Sequence, residues 1–146
     1  MKYIKKFNES LKEAENEIYQ KKLDEIKKFC NENLAYLIDS GFNMRYFEYP
    51  EWLSVTLHKN GKLFKWEEVV DDVVPFLQVI NTKYGLVKLM STSNRDNNKE
   101  CTVVLSDYKG SQSYKYTLSD LVNDITTGIV DKEFNYISFS VKYKPT

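Results

Sequence analysis

Residues 11–40 place the strongest constraint on this chain, because they read as one long amphipathic helix. Ser10 and Glu13 have capping-box spacing, in which a hydroxyl and a carboxylate satisfy first-turn amides. Apolar residues then recur at Leu11, Ala14 and Ile18, and again at Tyr19, Leu23, Ile26, Cys30, Leu34 and Leu37. The stripe steps in phase between Ile18 and Tyr19. Gly41 follows as a C-cap. At 1.5 Å per residue such a helix is roughly 45 Å long, more than the width of a small domain. Its more apolar second half, LDEIKKFCNENLAYLI, is expected to pack on the core. The first half, KEAENEIYQKK, is expected to project or fold back, leaving part of it for a partner.

After Gly41 the pattern shortens. Residues 42–49 form a candidate strand, broken at Pro50, and 52–58 alternate with Leu53, Val55 and Leu57 on one face. Asn60–Gly61 is a turn. Residues 66–82 have helical spacing, with Pro75 expected to kink the helix. Residues 86–91 and 101–107 read as strands. Thr117 and Asp120 cap a short helix with Leu118, Leu121, Val122 and Ile125 on its apolar face. The last strand is 134–143, with Ile137, Phe139, Val141 and Tyr143 on one face. This order predicts an α+β fold, a ferredoxin-like (split βαβ) antiparallel sheet with an additional long N-terminal helix. That helix would lie across the exposed sheet face or beside the other helices. An α+β meander with its helices on one side is the alternative. The division is a helical extension over 1–41, packing partly on the core, and a single α+β domain over 42–146.

Composition narrows the function. The 146 residues carry 21 basic and 21 acidic side chains, a net charge of zero. Residues 1–40 and 41–100 hold eight of each sign, and 101–146 hold five of each. No segment has the basic footprint that phosphate-backbone binding calls for, which argues against a nucleic-acid partner. No apolar run reaches the roughly 18 residues of a membrane span, so no membrane partner is expected. The opening MKYIKKFNESLKEAENE lacks a signal-peptide core. Two cysteines, Cys30 and Cys101, are too few for a disulfide scaffold and read as buried thiols.

Chemistry leaves few signals. No phosphate-cradling, dinucleotide-binding, metalloprotease, serine-hydrolase or deaminase motif is present. His58, the single histidine, would serve as a general base, a thiolate partner for Cys101 or a partner contact, against a plain turn role. Glu67, Glu68, Asp71 and Asp72 would hold a divalent ion weakly, but they also suit a helix N-terminus. Asp96, Asn97, Asn98 and Glu100 lack calcium-loop spacing. No cofactor and no metal is expected. RNA binding through the sheet needs exposed aromatic and basic residues. CTVVLSD offers neither, while Tyr114-Lys115-Tyr116 and the last strand offer some. The 11 Tyr and 8 Phe instead suit protein contacts, since aromatic residues are enriched in interface cores. The candidate partner-binding residues are Tyr3, Phe7, Tyr19, Tyr46, Phe47, Tyr49, Trp52 and His58.

The opening MKYIKKFNES resembles the N-termini of small uncharacterised tailed-bacteriophage proteins, of the form M-K-x-I-x-x-F-N-E. The segments FCNENLAYLIDSGF and WEEVVDDVVPFLQVINTKY are similar to that group as well. The resemblance implies a viral origin, a place in the host cytoplasm or the virion, and no catalytic residues. The expectation is a non-enzymatic protein that binds a host factor or a virion protein, with self-association through the long helix as an extension. Single-stranded nucleic-acid binding and a divalent-ion-dependent nuclease or phosphodiesterase are the alternatives.

Overall fold

The computed structural model describes residues 2–87, 89–90, 100–101, 103–107, 113–122 and 133–144. Helix α1 runs over Lys2–Asn33, 32 residues, and α2 over Ala35–Asp39 after a break at Leu34. The start lies eight residues before the Ser10 cap that the spacing predicts. Ile4 and Phe7 continue the three-then-four spacing of Leu11, Ala14 and Ile18, so no change of pattern stops the helix at Ser10. At the other end Gly41 adopts φ 101°. The amides of Gly41 and Phe42 then turn back to the carbonyls of Ile38 and Leu37, at 3.1 and 3.0 Å.

Strands β1 (Asn43–Glu48) and β2 (Trp52–His58) form a hairpin, with Asn43 opposite His58 and Glu48 opposite Leu53. Asn60 and Gly61 then make a two-residue turn with φ 50° and 81°. The Lys62 amide reaches the Lys59 carbonyl at 3.0 Å. Positive φ at both positions is why Asn-Gly occupies such turns. Strand β3 (Phe64–Lys65) and a 3-10 turn (Trp66–Glu68) lead into α3 (Val70–Lys83). Pro75 sits inside α3, has no amide to offer the Asp71 carbonyl, and the helix runs on through it to Lys83. Strands β4 (Leu89–Met90) and β5 (Glu100–Cys101) pair only with each other. Then follow β6 (Val103–Asp107), β7 (Ser113–Tyr116), α4 (Leu118–Val122) and β8 (Glu133–Lys142). Thr117 and Asp120 cap α4 reciprocally, through bonds of 3.0 and 3.3 Å. The remainder of that expected helix, with Ile125, lies outside the described residues.

The class is α+β, an antiparallel sheet with an N-terminal helix. Its strand order is β1-β2-β8-β6-β7, with β3 extending the β2 edge of β8. This differs from the split βαβ order, in which the first and third strands are parallel neighbours. Here β8 separates β2 from β6 and runs antiparallel to both. Within the expected strand 86–91, Leu89–Met90 pair with Glu100–Cys101 and not with the main sheet, while Leu86 bridges Val141 and the Val87 amide bonds Ser140 at 2.9 Å, beyond the end of β6. The physical reason lies in β8 itself. It is ten residues long, buries Phe134, Ile137, Phe139 and Val141, and places the small Ser138 and Ser140 between the last three. A strand of that length and alternation satisfies its backbone groups only with neighbours along both edges.

One sheet face carries the core. Leu53, Val55 and Leu57 of β2 join those β8 residues against Leu23, Ile26 and Cys30 of α1 and Val73, Leu77 and Ile80 of α3. Phe29 of α1 stacks on Phe76 of α3 at 5.8 Å, and Phe76 meets Phe139 of β8 edge-on at 5.8 Å. Phe64 links Phe42 to Phe134 in the same way. Helix α1 therefore lies beside α3 on the core face, and no helix among the described residues covers the opposite face.

Candidate functional site

Strand alternation decides what the uncovered face contains. With Leu53, Val55 and Leu57 in the core, Trp52, Ser54, Thr56 and His58 point the other way and are half-buried. Cross-strand register adds rows to these. Asn43, His58 and Tyr136 stand opposite one another, as do Arg45, Thr56 and Ser138, then Phe47, Ser54 and Ser140, then Trp52 and Lys142. Between the first and last of these rows the described residues of the face include no carboxylate. Glu133 lies beyond them, opposite Lys65. Lys115 of β7 is exposed and extends the Arg45 row across β6. The residues that make the chain neutral are elsewhere. Glu48 faces α1 and bonds Lys27 at 2.7 Å, and the acidic quartet stands at the start of α3.

Within this face, Arg45, Thr56, His58, Gly61, Asn135 and Tyr136 line a cavity of about 160 Å³. The Asn60 amide donates to Nδ1 of His58 at 3.2 Å. The neutral ring therefore carries its proton on Nε2 and donates from there. Burial, and next the charge of Arg45, hold the imidazole below its ordinary pKa, so it is neutral near pH 7. Asn43 anchors the turn by donating to Oδ1 of Asn60 at 2.7 Å.

The expected partner-binding residues divide between packing and surface. Tyr46 is half-buried under α1, its hydroxyl 3.4 Å from the Lys27 carbonyl and 3.4 Å from Oδ1 of Asn31. Tyr19 packs edge-on against Tyr143 at 6.4 Å, with the Lys144 ammonium 4.7 Å above its ring. Phe47 is 52% exposed, although the Phe side chains of the core are buried around it in sequence. Tyr49 is 46% exposed and its ring lies 5.6 Å from that of Trp52. Phe47, Tyr49 and Trp52 thus gather at the hairpin end of the face and His58 lies at its other end. The side chains of Tyr3, Phe7 and Cys101, and all of residues 91–99, lie outside the described residues. Of the acidic quartet, Glu68 is committed to the turn: its carboxylate accepts from the Lys65 amide at 2.6 Å and from Lys59 at 3.2 Å. Among the described residues no three His, Cys, Asp or Glu side chains converge as metal ligands.

Arg45, Thr56, Asn135 and Tyr136 were not legible as a group. Residues 54, 56 and 58 share a face by simple alternation. Their meeting with β1 and β8 depends on a register that no local pattern specifies.

A second surface belongs to α1. Residues 11–18 are exposed throughout, including Leu11 at 50% and Ile18 at 63%. Lys12 and Glu15, which share the azimuth of the docked Tyr19–Cys30 stripe, are exposed as well, so this part of α1 runs past the described part of the domain and the Leu11–Ile18 stripe, about one position out of phase, has no described residue over it. Comparison with known protein families, with curated proteins and with solved structures returns no match.

Proposed function

We propose that the chain is a small non-enzymatic protein that binds another protein through the free part of α1. The observation that carries this reading is Leu11 and Ile18 standing exposed on a helix whose continuation is docked. A helix with an apolar stripe needs a groove or another helix to cover it, and none of the described residues supplies one. The likeness of MKYIKKFNES to small tailed-phage proteins supports a viral origin and makes a host factor or a virion protein the class of partner. The host cytoplasm or the virion is the corresponding location. The structure-derived test compares the proteins retained by the intact chain with those retained by a Leu11→Ser, Ile18→Ser variant. A protein held by the first and lost by the second, with circular dichroism unchanged, supports the reading. If sedimentation shows a dimer that the variant abolishes, the partner is a second copy. Identical retained proteins and a monomer in both would overturn it.

A further inference from the structure

We propose that the cavity on the open sheet face is a phosphoryl-binding site, in which Arg45, Thr56, His58, Asn135 and Tyr136 hold the oxyanion of a nucleotide, free or within a single strand. The lining is rich in donors. A guanidinium, two hydroxyls, a carboxamide and the Nε2–H of His58 face one space of about 160 Å³. Among the described residues no carboxylate lines it. Arg45 makes no ion pair with any described residue. An unpaired guanidinium beside neutral donors matches a phosphate, which accepts charge-assisted bonds in the same forked geometry as a carboxylate.

The surroundings select a nucleotide. Phe47 stands two residues from Arg45 along β1, about 7 Å away, on the same face and exposed. Such a ring is a stacking platform for a base whose phosphate sits on Arg45. Ser54, Ser138 and Ser140 are small and leave the face between them low enough for a strand to lie across it. Lys115 extends the positive charge beyond the cavity. A chain with zero net charge therefore has one face whose described residues, around the cavity, include no carboxylate to repel a phosphate backbone. The site is separate from the free part of α1 and does not depend on what that helix binds.

The test uses the full chain and three probes: inorganic phosphate, thymidine monophosphate and a labelled oligothymidylate. Amide resonances of Thr56, His58 and Tyr136 are expected to shift with phosphate and with the monophosphate. The oligothymidylate is expected to bind with an affinity that falls steeply as salt rises, and to be displaced by phosphate. Arg45→Gln should weaken binding roughly tenfold or more and reduce the salt slope by about one. Tyr136→Phe should weaken it less. Lys83→Gln, on the helical layer, should leave it unchanged. Arg45 is exposed, so Arg45→Gln should keep the wild-type circular dichroism. Binding of the monophosphate without the oligothymidylate would identify a free nucleotide as the ligand of the same site. The proposal fails if no probe shifts those resonances at low salt, or if Arg45→Gln binds the probes as tightly as the wild type.

Discussion

Gly61 shows how little side-chain space matters when the backbone decides. A Cβ placed there meets nothing within 4 Å, yet φ is 81°. An L side chain in that region costs about 1 kcal/mol through its own carbonyl contacts. Gly61→Ala should therefore lower unfolding free energy by about 1 kcal/mol in urea titration, with no change in the spectrum of the core. A loss near zero would mean the turn had changed type. Cys30 presents the opposite case, a side chain governed wholly by its surroundings. It is fully buried between α1 and the sheet, and burial pushes its thiol up to about 12. Thiolate is the reactive form, so the residue should be inert to an aromatic disulfide reagent in the native state. In a Cys101→Ser background it should react only on unfolding, at a rate that follows denaturant. Rapid labelling in buffer would contradict the packing described for α1.

At the scale of elements, α1 is two devices joined at the phase step. Leu23, Ile26 and Cys30 are core residues, whereas residues 11–18 contribute no burial. Leu11→Ser and Ile18→Ser together should leave the melting temperature within a few degrees of that of the unsubstituted chain. Removing residues 1–30 should abolish folding, because it strips the core of Ile26, Cys30 and the Phe29–Phe76 stack. Phe139, beneath that stack on the central strand, gives a finer measure. Phe139→Ala should cost about 3–5 kcal/mol in chemical denaturation. The helices and the β2 and β8 alternations were legible because each is a local period. The long helix, the Asn60–Gly61 turn, the Gly41 stop and the Thr117–Asp120 cap were all written within a few residues. The strand order was not. Leu53, Val55 and Leu57 would alternate identically beside any partner, and nothing local says that β8 enters the centre instead of an edge. The candidate site suffers from the same blindness. Arg45 and Tyr136 are 91 residues apart in sequence and meet only through β2. Sums of charge along the chain hid this division, because strand parity sends Arg45 and Glu48 to opposite layers.

For the molecule as a whole, the ionisable groups with displaced pKa values set a window of stability. Glu68 is held below its ordinary value by the Lys65 amide and then by Lys59, and His58 by burial and then by Arg45. For a group lowered by folding, the unfolded chain binds the proton more readily. The stability each contributes is present above its unfolded value and is lost as pH falls through its folded one. His58 starts that loss below about 6.5, and Glu68 deepens it further into acid. Burial raises Cys30 from 9.0 to about 12, and it raises Tyr46 and Tyr143 as well. For these groups the sign reverses: the contribution is full below the unfolded value and declines as pH rises toward the folded one. The expected profile is a plateau from about pH 6.5 to about 9, falling on both sides. Urea midpoints measured across pH test it. His58→Gln should flatten the first part of the acid limb, and Cys30→Ala the first part of the alkaline limb, each on a lower plateau where packing is lost. A midpoint that rises into alkali would show that Cys30 and the two tyrosines are not shielded from water as their burial requires, and with them that α1 is not docked on the sheet.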